Sequence, residues 1–132
     1  MTSEAAIFGE AGTAKYVNLT TYRKDGTPVA TPVWAVLDGA RLLVWTETEA
    51  WKVKRIRRNP KVLVQATDAR GKKLTGEPVA GTAVVLDAEG TAHVRKKLIE
   101  KYGLLARVLI FASKVRRGES GTIGIAITAG DQ

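Results

Sequence analysis

The sequence contains no cysteine and a single histidine, His93, among its 132 residues. The absence of cysteine excludes disulfides and thiolate metal ligands, and one histidine does not supply a histidine-based metal cluster within one chain. No apolar run is long enough to cross a bilayer. Residues 1–15 also lack the charged start and the long apolar core of a secretory signal. These absences predict a cytoplasmic protein with no metal and no membrane partner.

The composition is otherwise that of an ordinary globular chain, with 45% hydrophobic residues. Its length predicts one domain over residues 1–132, in which the weakly patterned residues 1–12 form a short helix or a loose arm. The charge is unbalanced, with a net value of +8 at pH 7. Basic patches attract nucleic acid, anionic membranes or phosphorylated small molecules, and charge alone does not choose among these partners.

Three runs in the first half of the chain alternate apolar and polar residues, as half-buried strands do. They cover residues 16–23, 27–37 and 41–48, and they are separated by Asp25-Gly26 and Asp38-Gly39. An Asp-Gly pair between two such runs is a strong hairpin signal. The pattern therefore predicts an antiparallel meander of three strands.

Two prolines, Pro28 and Pro32, fall in the second of these runs. Proline cannot donate to a strand ladder, so it belongs at a strand start, an edge or a bulge. Pro28 fits a strand start, whereas Pro32 interrupts the run. We predict a bend at Thr31–Pro32, which would leave neighbouring backbone groups free to face a ligand. An irregular edge strand is the alternative interpretation.

The second half of the chain predicts two more strands, two helices and a closing strand. The strands cover residues 61–67, 77–87 and 123–128, an amphipathic helix covers 88–102, and residues 104–115 form a helix apolar enough to pack on a partner chain. A hairpin-rich sheet in so short a chain is most simply a small closed barrel with helices at its ends. Trp45 is assigned to the interior of this barrel.

The excess positive charge is concentrated in the helix predicted between the third and fourth strands. Thr48 is its expected N-cap. Positive charges near the C-terminal end of a helix interact favourably with its dipole, whereas Lys52 in the first turn interacts unfavourably. Lys52 is better explained by an anion held against the free N–H groups of that turn. The pattern favours one phosphate, and it leaves open a nucleic-acid contact or a solvated helix. Five of the seven residues from 52 to 58 are cations: Lys52, Lys54, Arg55, Arg57 and Arg58.

Three segments of the chain are similar to a known family. They read LTTYRKDGTPVATPVWAVLDG, RLLVWT and KVKRIRRNPKVLVQATDARG, in that order. They resemble the split β-barrel flavin and deazaflavin oxidoreductases, the F420-dependent relatives of pyridoxamine 5′-phosphate oxidase. The resemblance implies a mainly β (α+β) fold, a six-stranded antiparallel split β-barrel with short helices. It also implies a homodimer with cofactor sites at the interface.

The resemblance also implies which residues would hold the cofactor. The phosphate would meet the start of the basic helix at Lys52, and the tricyclic ring would lie along the second strand. The remaining contacts implied are backbone groups of Thr31, Pro32, Val33 and Trp34 for the ring, and Thr46 and Thr48 for the ribityl phosphate.

One position departs from the family pattern. Flavin-binding members carry an arginine beside the lysine matched by Lys52, and this chain has Trp51 there. The loss of one phosphate ligand favours coenzyme F420 over FMN and leaves FAD open, because Lys54 and Arg55 remain nearby to hold an anionic polyglutamate tail. Trp51 would cover the cofactor or the dimer seam.

The function implied by the resemblance is an F420-dependent oxidoreductase. It would transfer a hydride between the deazaflavin and a small conjugated electrophile such as a quinone or an enone, with no nucleic-acid partner. The alternatives are a non-catalytic flavin or deazaflavin carrier, an FMN- or FAD-dependent oxidoreductase, and a nucleic-acid-binding barrel. No residue is assigned as catalytic, and His93 is interpreted as a surface or helix-packing residue. The candidate proton donors are Tyr22, Tyr102 and Lys15, and Trp34 is a candidate ring or substrate contact.

Overall fold

Seven β-strands and three α-helices make up residues 7–130, the part of the chain that the computed structural model describes. Of the predicted N-terminal helix or arm, residues 1–6 lie outside the described residues, and Gly9–Gly12 form a 3₁₀ turn. In chain order the elements are β1 Tyr16–Tyr22, β2 Pro28–Val33, β3 Ala35–Asp38, β4 Arg41–Glu47, α1 Trp51–Arg58, β5 Lys61–Thr67, β6 Thr75–Val85, α2 Ala88–Tyr102, α3 Leu104–Arg117 and β7 Thr122–Ala129.

The strands form one antiparallel sheet in the order β2-β1-β5-β6-β7-β4-β3. The mainly β architecture is therefore confirmed, but the expected count of six strands is wrong. The predicted second strand is two strands, β2 and β3, which occupy the two opposite edges of the sheet. Only Trp34 separates these strands along the chain, so the sheet curls until its edges meet at that residue, without hydrogen bonds that would close it.

The break between β2 and β3 lies at Trp34, two residues beyond the predicted bend. Pro32 instead sits within β2, opposite Asn18 of β1. An edge strand tolerates proline because one side of its ladder has no partner strand. The bend predicted at Thr31–Pro32 is therefore wrong in position, and the edge-strand alternative describes Pro32.

The core has two parts, one inside the curled sheet and one beneath α2. Leu42 and Val44 of β4 point into the first part, and Leu43 and Trp45 point into the second, where α2 covers the other face of the sheet. The assignment of Trp45 to the barrel interior is therefore wrong, because alternate residues of a strand face opposite sides. α2 approaches closely because Gly124 of β7 has no side chain, and a Cβ there would lie 2.7 Å from Cγ2 of Val94.

The helix boundaries differ from expectation at α1. Its N-cap is Ala50, and no side chain caps it. Thr48 is not the cap, because its hydroxyl donates to the carbonyl of Ser120 at 2.7 Å. α2 does have a side-chain cap, since Asp87 accepts from the N–H of Gly90. Among residues 7–130, no helix combines the length and apolar character that a membrane crossing requires.

A charge cluster ties α2 to the β3–β4 turn. Asp38 lies 2.8 Å from Nε2 of His93, 3.3 Å from the Arg41 guanidinium and 3.8 Å from Nζ of Lys97. The hydrogen bond with His93, followed by that from Arg41, holds the pKa of the Asp38 carboxyl below its usual value. His93 therefore packs its helix onto the sheet, as interpreted from the sequence.

Replacement of Asp38 by asparagine is expected to lower the free energy of unfolding at pH 7 by about 1 kcal/mol or less, the range of exposed ion pairs. Because the folded pKa is depressed, this stabilisation is present above the ordinary value of 3.8 and is lost as the pH falls through the lower folded value. Urea unfolding at several pH values measures the effect, with Glu77→Gln, at an exposed position of β6, as the control. A difference that grows on acidification would contradict the assignment.

Candidate cofactor site

A cleft of about 400 Å³ opens between the end of β2, the end of β4, the start of α1 and one face of α3. We call it the Lys52 cleft. Four of the residues implied by the sequence resemblance line it together: Pro32, Val33, Thr46 and Lys52. The wall also includes Trp45, Glu47, Leu109, Ala112, Ser113, Arg116 and Thr122.

Lys52 is the half-buried cation of this cleft. Its ammonium lies 3.5 Å from the Thr46 hydroxyl. Burial lowers the pKa of Lys52, the nearby Glu47 carboxylate raises it, and Arg55 lowers it further. An anion that enters the cleft would stabilise this partly desolvated ammonium further.

The first turn of α1 adds a second feature that favours an anion. Trp51 and Lys52 begin the helix, and its first turn contains no acidic residue. Its N-cap residue, Ala50, forms no side-chain capping hydrogen bond. The first N–H groups of a helix have no carbonyl partner within the helix, and they carry the positive end of its dipole. Lys52 therefore stands beside backbone donors that suit a phosphate.

Several polar residues of the cleft wall are absent from the sequence prediction, among them Trp45, Ser113 and Arg116. The indole N–H of Trp45 is buried and has no hydrogen-bond partner among the described residues. Such a donor costs free energy until a ligand accepts from it. Ser113 and Arg116 come from α3, three residues apart and thus on one helix face. Helical spacing alone groups this pair with Leu109, but nothing in the sequence says that this face meets β2 and β4.

Trp51, Lys54 and Arg55 lie in a neighbouring groove rather than in the cleft. This basic groove has a volume of about 500 Å³, and no acidic residue lines it. Nζ of Lys54 stands 4.6 Å from the centre of the Trp51 ring, and 69% of the Trp51 surface is exposed. Arg55 influences the pKa of Lys52, so the groove adjoins the cleft at that point. Its other lining residues are Arg23, Lys24 and Arg58.

The remaining predicted site residues are not in the lining of the Lys52 cleft. Trp34 stacks on Tyr102, with ring centres 4.4 Å apart and planes 9° apart. Thr31 is half-buried, and its hydroxyl has no partner among the described residues. Thr48 lines a third cavity, of about 800 Å³, at the start of α2. None of the candidate proton donors, Tyr22, Tyr102 and Lys15, is part of the cleft wall.

The described residues of the cleft fit a phosphorylated ring cofactor. The half-buried ammonium and the uncapped helix start suit a phosphate. The volume falls in the range of small-molecule sites. Pro32 and Val33 offer a mostly apolar side for a planar ring.

The sequence and the fold both match known proteins. The family model described as pyridoxamine 5′-phosphate oxidase matches residues 5–131. No curated protein matches the sequence. A conserved hypothetical protein from Mycobacterium tuberculosis shares the fold with a TM-score of 0.72 at 22% identity, over 99% of this chain and 82% of that protein.

Two further solved structures carry functional descriptions. An F420 reductase shares 22% identity with a TM-score of 0.62, over 94% of each chain. A heme storage protein of Vibrio cholerae shares 15% identity with a TM-score of 0.63, over 89% of this chain and 83% of that one. At these identities the likeness shows the fold alone, which is common to proteins that handle different cofactors.

Proposed function

The chain belongs to the pyridoxamine 5′-phosphate oxidase family, and on that premise we propose that it is an F420-dependent oxidoreductase acting on a small conjugated electrophile. A single observation carries this proposal: the half-buried ammonium of Lys52 faces a cleft of cofactor size beside an uncapped helix start. The family supplies the cofactor class, and the cleft supplies the place for its phosphate.

Lys52 and the first N–H groups of α1 would bind the phosphate, with the Thr46 hydroxyl steadying the ammonium. The ring would then lie along the end of β2, against Pro32 and Val33. Thr31, within β2, and Trp34, directly after β2, would support the end of this strand without lining the cleft. Thr48 would act only indirectly, by fastening the β4–α1 connection to Ser120.

The choice of F420 over FMN or FAD is supported by the basic groove. F420 carries an anionic polyglutamate tail, and a groove with five cations and no acidic lining residue suits several carboxylates in series. Lys54 and Arg55 would hold this tail, and Trp51 would form the shared edge between groove and cleft. FMN offers no group that would use these cations.

A bound reduced deazaflavin would supply a hydride to a quinone-like or enone acceptor, with the accompanying proton taken from solvent. The chain itself contributes binding, orientation and electrostatics. Because no candidate proton donor lines the cleft, the residues act by placing the ring and the acceptor face to face. Leu109 and Ala112 of α3 would narrow the space beside the ring and exclude water from it.

A non-catalytic carrier is the second candidate function, and the absence of the candidate proton donors Tyr22, Tyr102 and Lys15 from the cleft wall favours it. Heme is a poor choice of cargo for this cleft. His93 is the single histidine, and its Nε2 is engaged with Asp38 at 2.8 Å. A carrier role is therefore proposed only for a flavin or deazaflavin.

A homodimer is proposed through α3. Leu104, Val108, Phe111 and Val115 follow one another at intervals of four, three and four residues and form a stripe along the helix. This is the spacing of a helix–helix seam, and the four side chains are 55–76% exposed. Ala106 and Ile110, on the opposite face, are buried against the chain's own fold. Pairing of two such stripes would bring the two Lys52 clefts close to the dimer interface.

Titration of the purified protein with F420, FMN and FAD tests the cofactor choice. We expect micromolar binding of F420 and weaker binding of FMN. Tighter binding of FMN than of F420 would reverse the choice. Oxidation of reduced F420 in the presence of a quinone panel then separates the two candidate functions, because a carrier would bind F420 without accelerating its oxidation.

A further inference from the structure

Two side chains at the end of α2 form hydrogen bonds with the backbone of Ala35, where the chain crosses from one sheet edge to the other. They also bind the backbone of the segment that precedes β1. Nζ of Lys101 donates to the carbonyls of Ala14 at 2.7 Å and Ala35 at 2.6 Å. The Tyr102 hydroxyl donates to the carbonyl of Lys15 at 2.7 Å, lies 3.1 Å from that of Ala35, and accepts from the N–H of Ala35 at 3.3 Å. We call these contacts the crossover clamp.

The clamp is formed by residues far apart in the sequence, and both of its polar groups are partly buried. Lys101 and Tyr102 contact backbone groups that are 66–87 positions away. Burial lowers the pKa of Lys101 to about 8, and burial raises the pKa of Tyr102. Desolvation of both groups is unfavourable, so their hydrogen bonds offset a cost that exposed side chains would avoid.

The aromatic ring of Tyr102 adds a second hold on the same crossover. It stacks nearly parallel on Trp34, the one residue between β2 and β3. The clamp therefore holds Trp34 by its ring and Ala35 by its backbone. A stacked aromatic pair is stabilising beyond the area that it buries.

The position of this crossover matters for the Lys52 cleft. Pro32 and Val33 line the cleft and immediately precede Trp34. β2 is an edge strand with β1 as its only ladder partner, so hydrogen bonds hold its end from one side alone. The clamp adds contacts that a second ladder partner would otherwise provide. These contacts act on Trp34 and Ala35, the two residues that follow Val33 in the chain.

We infer that Lys101 and Tyr102 are positioning residues that hold the end of β2 in the place where it receives the ring half of the cofactor. This inference rests on the proposed function for its ligand, and it assigns a role in ring binding to α2, none of whose residues lines the cleft. The phosphate half of the site lies on α1 and does not depend on the clamp. Loss of the clamp should therefore weaken ring binding and spare phosphate binding.

Tyr102→Phe and Lys101→Met test the inference, with Tyr22→Phe and Lys96→Met as matched controls. Tyr102→Phe keeps the ring stack and removes only the hydroxyl contacts. Hydrogen exchange in the ligand-free protein is expected to be about 10-fold faster for the amides of residues 33–36 in both clamp variants and unchanged in the controls. Unchanged exchange at these amides in both clamp variants would overturn the inference without involving any cofactor.

The ligand arm compares F420 with its phosphate-free deazaflavin core, and FMN with riboflavin. In Tyr102→Phe we expect all four affinities to fall by the same factor of about 3 to 10, while competition by inorganic phosphate is unchanged. An equal loss of phosphate affinity would mean general destabilisation and would reject a positioning role. If the wild-type protein binds none of the four ligands, the proposed function fails, whereas the exchange result still decides whether the clamp orders the end of β2.

Discussion

Replacement of Lys52 by alanine is expected to weaken binding of F420 and FMN by about 10- to 100-fold. A hydrogen bond between charged partners contributes about 1.5–3 kcal/mol, and each 1.4 kcal/mol is about a factor of ten in affinity. The loss should be near the upper end because the ammonium is half-buried, where water screens the interaction less. Fluorescence titration of each ligand against the wild type and Lys52→Ala measures the change.

Ligands without a phosphate distinguish a loss of phosphate binding from general damage to the protein. Riboflavin and the phosphate-free deazaflavin core should bind Lys52→Ala as well as they bind the wild type. Arg57→Ala removes one positive charge from the same helix and lines neither the cleft nor the basic groove, so it controls for net charge. The thermal stability of Lys52→Ala should not fall below that of the wild type, because the substitution removes a charge that is partly desolvated in the folded protein. An equal loss for phosphorylated and phosphate-free ligands would place the phosphate elsewhere.

Introduction of glutamate at Phe111 is expected to convert the proposed dimer into a monomer. Phe111 is 68% exposed and lies near the middle of the α3 stripe. A two-fold axis would place two unpaired carboxylates in one apolar seam, and burial of even one such charge costs several kcal/mol. The dimer dissociation constant should rise by at least about 100-fold. Sedimentation velocity over a range of protein concentrations measures it.

Val84→Glu serves as the matched control because Val84 is an exposed β6 residue, 58% accessible, outside α3. It should leave the mass of the particle unchanged. Because α3 also forms one wall of the Lys52 cleft, Phe111→Glu should weaken F420 binding as well, although Phe111 itself does not line that cleft. A monomeric wild-type protein at micromolar concentration, or a dimer that tolerates both glutamates, would refute an interface on this stripe.

The local pattern of the sequence determined the strands and their tight turns. Asp25-Gly26 predicted a hairpin, and the side chain of Asp25 accepts from the N–H of Thr27 while Gly26 adopts a φ of 89°. Turn geometry of this kind depends on neighbouring residues, so it is visible in a single sequence. The same holds for Lys52. Its place in the first turn of a basic helix indicated an anion before any packing was known, because the dipole of a helix acts within one turn.

Only the tertiary structure decided how the two sheet edges meet and what builds the second wall of the cleft. The sheet has seven strands rather than the expected six because the chain changes its ladder partner at Trp34: β2 pairs with β1, and β3 pairs with β4. The choice of ladder partner depends on residues far away in the sequence. The buried indole of Trp45, the polar face of α3 and the clamp at Lys101 and Tyr102 have no local signature for the same reason. Each gains its role from contact with backbone or space supplied by a distant segment, and side-chain spacing along one helix or strand carries no information about that partner.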